Sequence, residues 1–111
     1  MKQGLRIATE AQQLLMLYIE EEGQLSDLKK LEAAFPYKLA TINRFHNKHF
    51  GKSLQKLRDE LLLERACTLL KEGLAPTQCA YALNYSYPES FYYFFKKRMA
   101  ISPQKYVDSL G

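Results

Sequence analysis

The sequence predicts an all-helical fold in which two helix-turn-helix units are joined by a long linker helix. Valine and threonine, which favour strands, are rare, and glycine (5) and proline (4) are sparse. A short helix, a break and a second helix are indicated twice along the chain. With 111 residues, the chain fits one domain or two small helical subdomains.

The first predicted unit covers residues 1–52 and begins with two helices. Thr9 and Gln12 have the spacing of a capping box and predict the start of the first helix, which Gly23 ends. Ser26 is predicted to cap a short second helix, because serine side chains accept from free backbone N–H groups. A Phe-Pro pair at 35–36 then breaks this helix, since proline disfavours a helical residue before it.

A third helix is predicted over 39–50, with Gly51 at its end. Ser53 opens the longest helix, which Gly73 ends, so residues 53–73 form the predicted linker helix. Its three successive leucines at 61–63 point in three directions. A helix that is apolar all round is buried by more than one neighbour, and we interpret this one as shared by both units.

The second predicted unit covers residues 74–111 and repeats the pattern. Pro76 suits the first turn of a short helix, and a break follows at 84–87. Pro88 then begins a helix that runs to about residue 99. Ser102 and Pro103 open a last short helix.

The charges alternate along the chain in four blocks. The net charge is −2 over residues 1–35, +6 over 36–58, −3 over 59–89 and +3 over 90–111. The two basic blocks fall largely on the second helix of each unit. Basic patches attract nucleic acid, although a charge run is often only a solvated face.

The predicted helix at 39–50 separates two kinds of side chain at 100° per residue. Its apolar side includes His46 and His49, and its other side is small, polar and cationic. Arginine can bridge the guanine edge in the major groove, asparagine can pair with adenine, and lysine suits phosphate. The candidate DNA-contacting residues of this helix are Ala40, Asn43, Arg44, Asn47 and Lys48.

The predicted helix at 88–99 divides in the same way, with its phenylalanines inward and two neighbouring tyrosines outward. Exposed tyrosines would contact thymine methyl groups, phosphates or a protein partner. The carboxylate of Glu89, in the first turn, interacts favourably with the positive end of the helix dipole. It could accept a hydrogen bond from cytosine, but DNA phosphates would repel it. The candidate contact residues of this helix are Glu89, Ser90, Tyr92, Tyr93, Lys96 and Lys97.

The predicted linker helix suits the pitch of B-DNA. Its 20 residues from 53 to 72 would be about 30 Å long, and successive major grooves on one face of the duplex lie roughly 34 Å apart. We therefore expect one chain to hold two recognition helices in adjacent major grooves as a monomer.

From Gly51 onward the chain resembles the AraC/XylS family of bacterial transcription regulators. The linker-helix pattern is carried by Gly51, Ser53, Leu63, Ala66, Leu69 and Leu70. The second unit carries Ala80, Asn84, Tyr85, Phe91, Phe95, Lys96, Lys97, Ser102, Pro103 and Tyr106 in the family's order and spacing. Before Gly51 only the Ile-Asn-Arg sequence at 42–44 is similar to the family.

The resemblance implies a seven-helix fold of two subdomains, whose third and sixth helices enter adjacent major grooves. Carried over by position, it implies largely the contact residues given above and adds Pro88. The family contains mostly activators of transcription, so the resemblance favours activation. No ligand-binding or dimerisation domain is found in the chain, so we expect a stand-alone regulator or the C-terminal part of a longer one.

The chain departs from the family pattern at five positions. Asn84 and Ala100 replace glycines, and asparagine is among the residues that best tolerate a positive φ. Leu62 stands where the family usually has arginine, and His46 where it has phenylalanine. Tyr93 replaces a common arginine, so the first unit is expected to dominate base reading while the second grips the backbone.

Other functions fit the sequence less well. Two histidines on an apolar face and two cysteines, Cys67 and Cys79, lack the spacing of a zinc site. Oxidation sensing needs an exposed thiol, whereas both cysteines lie among apolar residues of the sequence. No phosphate-binding glycine loop or nucleophile motif indicates an enzyme. Nine of the fourteen aromatics lie between Tyr81 and Tyr106, but mostly at core positions, which disfavours single-strand stacking.

The expected partner is therefore double-stranded DNA, with RNA polymerase as a further candidate and no cofactor. No signal peptide or membrane-length apolar run is present in the sequence, so a cytoplasmic protein is expected. The alternative is a degenerate helix-turn-helix module that binds another protein through its two tyrosines. Salt dependence distinguishes them, because duplex binding weakens steeply as salt rises.

Overall fold

The computed structural model describes residues 2–111, with side chains from residue 3 onward, and this part of the chain is helical without any strand. The predicted all-helical class, with two helix-turn-helix units and a linker helix, is confirmed. The α-helices are α1 (Lys2–Glu22), α2 (Leu39–Phe50), α3 (Leu54–Lys71), α4 (Pro76–Ala82), α5 (Pro88–Met99) and α6 (Pro103–Ser109). Two short 3-10 helices, η1 (Gly23–Leu25) and η2 (Leu28–Ala33), lie between α1 and α2.

The starts of the first two helices differ from the sequence prediction. Thr9 does not begin α1; its hydroxyl donates to the carbonyl of Leu5 at 2.8 Å, a bond that threonine can make inside a helix. Ser26 does not cap the next helix either, because it is buried and its hydroxyl donates to the carbonyl of Tyr18 at 3.0 Å. Asp27 instead caps η2, which is a 3-10 helix.

The predicted limits of α2 and α5 are confirmed at both ends. Each helix is followed by a residue in the left-handed region, Gly51 at φ 71° and Ala100 at φ 67°. Each of these residues donates its N–H to a carbonyl four residues earlier, which satisfies one free acceptor of the helix end.

The chain forms two compact units. Unit 1 contains the chain up to Glu21 together with Ser26–Leu61, and unit 2 contains Glu22–Leu25 together with Leu62–Gly111. The linker helix α3 thus begins in unit 1 and ends in unit 2. The sequence-based division at residues 52 and 73 treats this helix as a separate segment and stays a prediction.

The core of unit 1 joins α1 to the first helix-turn-helix. Its buried side chains come from four helices: Ile7 and Ala11 of α1, Leu31 of η2, Ile42 of α2 and Leu54 of α3. Leu31 and Ile42 belong to the two helices of the motif, so burying them together sets the angle between η2 and α2.

The core of unit 2 is built around phenylalanine rings of α5. Phe91 and Phe95 are fully buried, with their ring centres 5.8 Å apart. Phe91 also contacts Tyr85 of the preceding turn at 5.6 Å, and Phe95 contacts Tyr106 of α6 at 5.6 Å. The contacts of Phe91 with Tyr85 and of Phe95 with Tyr106 pack α5 against both neighbouring segments.

The segment from α5 to the start of α6 repeats the local structure of the segment from α2 to the start of α3, at an offset of 49 residues. Helices α2 and α5 both contain 12 residues, and both end at a left-handed residue. Ser53 then accepts from the N–H of Lys56 at 3.1 Å, as Ser102 accepts from Lys105 at 3.2 Å.

Within residues 2–111, no helix is both long and apolar enough to cross a membrane.

Candidate nucleic-acid interface

Helix α2, the second helix of the first motif, is held at both ends. At its start, the carboxylate of Glu32 accepts from the N–H of Leu39 at 2.6 Å. At its end, the N–H of Gly51 donates to the carbonyl of Asn47 at 2.9 Å. These two bonds satisfy a free donor at the start of α2 and a free acceptor at its end.

The outward face of α2 contains the residues that the sequence singled out. Ala40, Arg44, Asn47 and Lys48 are exposed. The last three side chains have no hydrogen-bond or ion-pair partner among residues 2–111, so their donors remain available to a ligand. This face carries positive charge and a free carboxamide, and no acidic side chain lies on α2.

Asn43 differs from its neighbours on this face. Its side chain is half-buried, and its carboxamide oxygen accepts from the N–H of Leu54, the first residue of α3, at 2.8 Å. The sequence did not reveal this contact, because the two residues are brought together only by the turn after α2.

Two cations of the basic block at 36–58 are used inside the protein. The ammonium of Lys52 forms an ion pair with Glu60 at 2.8 Å. The guanidinium of Arg58 donates to the carbonyl of Ser26 at 3.0 Å and lies 3.3 Å from Asp59. The count of +6 from the sequence therefore overstates the charge that this segment offers to a ligand.

His46 is a core residue of unit 1. It is fully buried; Nδ1 lies 2.7 Å from the carbonyl of Lys52, and Nε2 lies 3.0 Å from the amide nitrogen of Gln12. Because a carbonyl can only accept, Nδ1 carries the proton and Nε2 accepts from Gln12. Burial lowers the pKa of His46 below its usual 6.5, against the opposing effect of the Lys52 carbonyl. Both ring nitrogens are engaged, which leaves neither for a metal.

Helix α5, the second helix of the second motif, begins with Pro88 at its first helical position. Pro88 is half-buried at the edge of the outward face. The exposed candidates along this helix are Glu89, Ser90, Tyr93, Lys96 and Lys97. This face offers two ammonium groups toward its C-terminal end and one carboxylate at its start.

The two neighbouring tyrosines of α5 have different environments, although both were expected to face outward. Tyr93 is 69% exposed, and the ammonium of Lys97 lies 5.8 Å from the centre of its ring. Tyr92 is half-buried, and its hydroxyl is 2.9 Å from the hydroxyl of Thr77 in α4. The expectation of an exposed pair was therefore wrong for Tyr92, because it packs against the first helix of its motif.

The turn between α4 and α5 is held by the segment at the end of α1, which we call the clasp (Glu22–Leu25). The N–H of Gln24 donates to the carbonyl of Leu83 at 2.8 Å, and its side-chain amide donates to the carbonyl of Asn84 at 3.0 Å. The side-chain amide of Asn84 donates in turn to the carbonyl of Glu22 at 2.8 Å.

Asn84 itself has a φ of 67°, so the predicted tolerance of a positive φ at this turn is confirmed. Its side chain also donates to the carbonyl of Glu22 in the clasp, a bond that a glycine at this turn could not make. No pattern in the sequence predicted the clasp, which lies some 60 residues along the chain from the turn that it contacts.

The cysteine of α4 is unsuited to redox chemistry. Cys79 is fully buried, and its thiol donates to the carbonyl of Ala66 at 3.7 Å. Burial, with a smaller contribution from Cys67, raises the pKa of Cys79 to about 12. A thiol in this state stays protonated and acts as a small apolar side chain.

Comparisons with known proteins agree with this geometry. Residues 31–109 match the family model described as Helix-turn-helix domain, and this match covers more than half of the chain. Among solved structures, the C-terminal domain of AraT, a response regulator from Geobacillus stearothermophilus, has a similar fold with a TM-score of 0.81. The two sequences are 22% identical, over 93% of this chain and 84% of that chain. A comparison with curated proteins found no match.

Proposed function

This chain belongs to the family of AraC-type helix-turn-helix domains, and from that premise we propose that it binds specific sequences in double-stranded DNA through α2 and α5. It is a DNA-binding domain of a transcription regulator rather than a member of a known enzyme family. We further propose that it activates transcription in the cytoplasm, with RNA polymerase as a second partner.

The observation that carries the proposal is the polar face of α2, where the side chains of Arg44, Asn47 and Lys48 are exposed and have no partner among residues 2–111. Arg44 has the fork of donors that matches the O6 and N7 atoms of guanine. Asn47 offers both a donor and an acceptor, as adenine requires, and Lys48 is suited to phosphate. Ala40, at the start of the helix, is small enough to let a base edge or a thymine methyl group approach.

Helix α5 has a different role in this proposal. Lys96 and Lys97 contact phosphates, which carry no base information but fix the protein on the duplex. Tyr93 contacts a thymine methyl group or a sugar. Glu89 and Ser90 accept from or donate to base edges at the start of the helix, while Pro88 and Tyr92 pack beside them.

The length of α3 supports binding as a monomer to an asymmetric site of about two turns. Its 18 residues span about 27 Å at 1.5 Å per residue. Successive major grooves on one face of DNA lie roughly 34 Å apart, so a helix of this length is of the size needed between two recognition helices.

Selection of bound duplexes from a random pool tests this function directly. It should recover one motif, and Arg44→Ala should lose about 1–3 kcal/mol of preference at one base pair of it. Arg6→Ala is the matched control, because Arg6 has a 78% exposed side chain and only a surface ion pair with Glu10. If the two variants retained the same motif and affinity, Arg44 would not be a base reader.

The division of labour between the helices has its own test. Lys96→Ala should weaken binding to all duplexes alike and reduce the slope of log affinity against log salt by about one. A changed base preference in this variant would instead assign Lys96 to base reading.

The high exposure of Tyr93 favours a second candidate function, a module that binds a protein partner through α5. Tyrosines are enriched in such interfaces. A tyrosine-led interface should respond little to salt, whereas duplex binding should weaken steeply. A wild-type protein without affinity for any duplex at low salt would favour this alternative.

A further inference from the structure

Asn43 links the first recognition helix to the linker helix. It lies in α2 directly before Arg44, yet its carboxamide oxygen accepts from the N–H of Leu54 at 2.8 Å. Leu54 is the first residue of α3, and its N–H is one of the four that every helix leaves unpaired at its start. Ser53 accepts from Lys56 at 3.1 Å, so the start of α3 has two side-chain caps, one of them from α2.

The repeat in unit 2 shows what the same position does when the donor is missing. The residue 49 positions after Leu54 is Pro103, which has no N–H to satisfy. The residue 49 positions after Asn43 is Tyr92, whose hydroxyl bonds to Thr77 of α4 instead. An asparagine therefore stands where the following helix has a free donor, and a different residue stands where it has none.

Reading adenine requires both ends of a carboxamide, since the oxygen accepts from N6 and the nitrogen donates to N7. The oxygen of Asn43 is held at the start of α3, and its side chain is half-buried. Asn47, one turn further along α2, is exposed, and neither end of its carboxamide has a partner among the described residues 2–111. The two asparagines of this helix thus have different surroundings.

We propose that Asn43 is a positioning residue, which fixes α2 to the first turn of α3 and leaves base reading to Arg44 and Asn47. The assignment of the readers rests on the proposed function. The bond from Asn43 holds the recognition helix at the angle that the linker helix sets, so its loss loosens α2 without removing any contact to a base.

The test compares aspartate and alanine at both asparagines. Asn43→Asp keeps an oxygen for the Leu54 N–H but loses the amide donor, and Asn43→Ala loses both. Asn47→Asp adds the same charge to the same helix face and serves as the matched control. The measurements are the melting temperature and the base preference of each variant in a duplex selection, scored relative to its own affinity for random DNA.

Asn43→Ala should lower the melting temperature by about 3–8 °C, and Asn43→Asp should restore it. Both should select the same motif as the wild type, with no loss of preference confined to one base pair, while Asn47→Asp keeps the melting temperature and loses preference at one position. The proposal is overturned if Asn43→Asp loses preference at one base pair, or if Asn43→Ala melts like the wild type. Failure of the wild type to select any motif would contradict the proposed function alone, because the melting temperatures still test the bond.

Discussion

Gly23→Ala is expected to destabilise the protein strongly, because the clasp passes very close to the turn that precedes α5. Gly23 has a φ of 57°, and a Cβ added to it would lie 2.3 Å from the carbonyl oxygen of Leu83. That oxygen is the acceptor of the Gln24 N–H. The backbone of the clasp must therefore move, and the hydrogen bonds that tie it to Leu83 and Asn84 are lost with it.

The expected loss in the free energy of unfolding of Gly23→Ala is the sum of two contributions. A non-glycine residue in the left-handed region costs about 1–2 kcal/mol. The three hydrogen bonds described above between the clasp and the turn each contribute about 0.5–1.5 kcal/mol to stability, so their loss costs about 3 kcal/mol. The free energy of unfolding should thus fall by about 4–5 kcal/mol, a large part of the 5–15 kcal/mol typical of a small domain.

Gly51→Ala is the matched control, because Gly51 has a φ of 71° and a Cβ added to it would meet no atom within 4 Å. This variant should lose only the conformational contribution of about 1–2 kcal/mol. Denaturant unfolding followed by circular dichroism gives both values. Equal losses for the two glycine variants would refute the reasoning, since the clasp would then contribute nothing to the stability of unit 2.

Two further predictions concern buried and strained positions. His46 has a pKa below 6.5 in the folded protein, so the unfolded chain takes up a proton first as pH falls, and the free energy of unfolding should decrease between about pH 7.5 and 5.5. His46→Phe should show a smaller decrease in denaturant titrations at the two pH values, and an identical decrease would contradict this account. Ala100→Gly should raise the free energy of unfolding by about 0.5–1 kcal/mol, because Ala100 has a φ of 67°, whereas Ala82→Gly at the last residue of α4 should not raise it. A loss of stability in Ala100→Gly would show that the left-handed alanine is not strained.

Helices α2 and α5 could be predicted to the residue because their limits depend on local chemistry. A proline begins α5, and a glycine ends α2 in the left-handed conformation that glycine adopts readily. The start of α1 could not be predicted in this way. A threonine with a glutamine three residues later has the form of a cap, but the same hydroxyl can bond to a carbonyl inside a helix.

The outward residues of the candidate interface could also be predicted, because helical periodicity separates apolar from polar positions. Periodicity gives the face but not the partners of a side chain. The charge count of the basic block at 36–58 likewise included Lys52 and Arg58, although both pair with groups inside unit 1. Periodicity also placed Tyr92 beside Tyr93 without indicating that Thr77 would engage the first of them.

The amino-acid sequence by itself determined the helical class, the repeated helix-turn-helix pattern and the exposed polar face around Arg44, since each depends on residues within one or two helical turns. Only the tertiary structure decided which polar groups are left for a ligand. The bonds of Asn43 to Leu54 and of the clasp to Asn84 join residues that are 11 and about 60 positions apart. Such contacts exist only after the helices have packed, because packing decides which distant donors and acceptors come within bonding distance of one another.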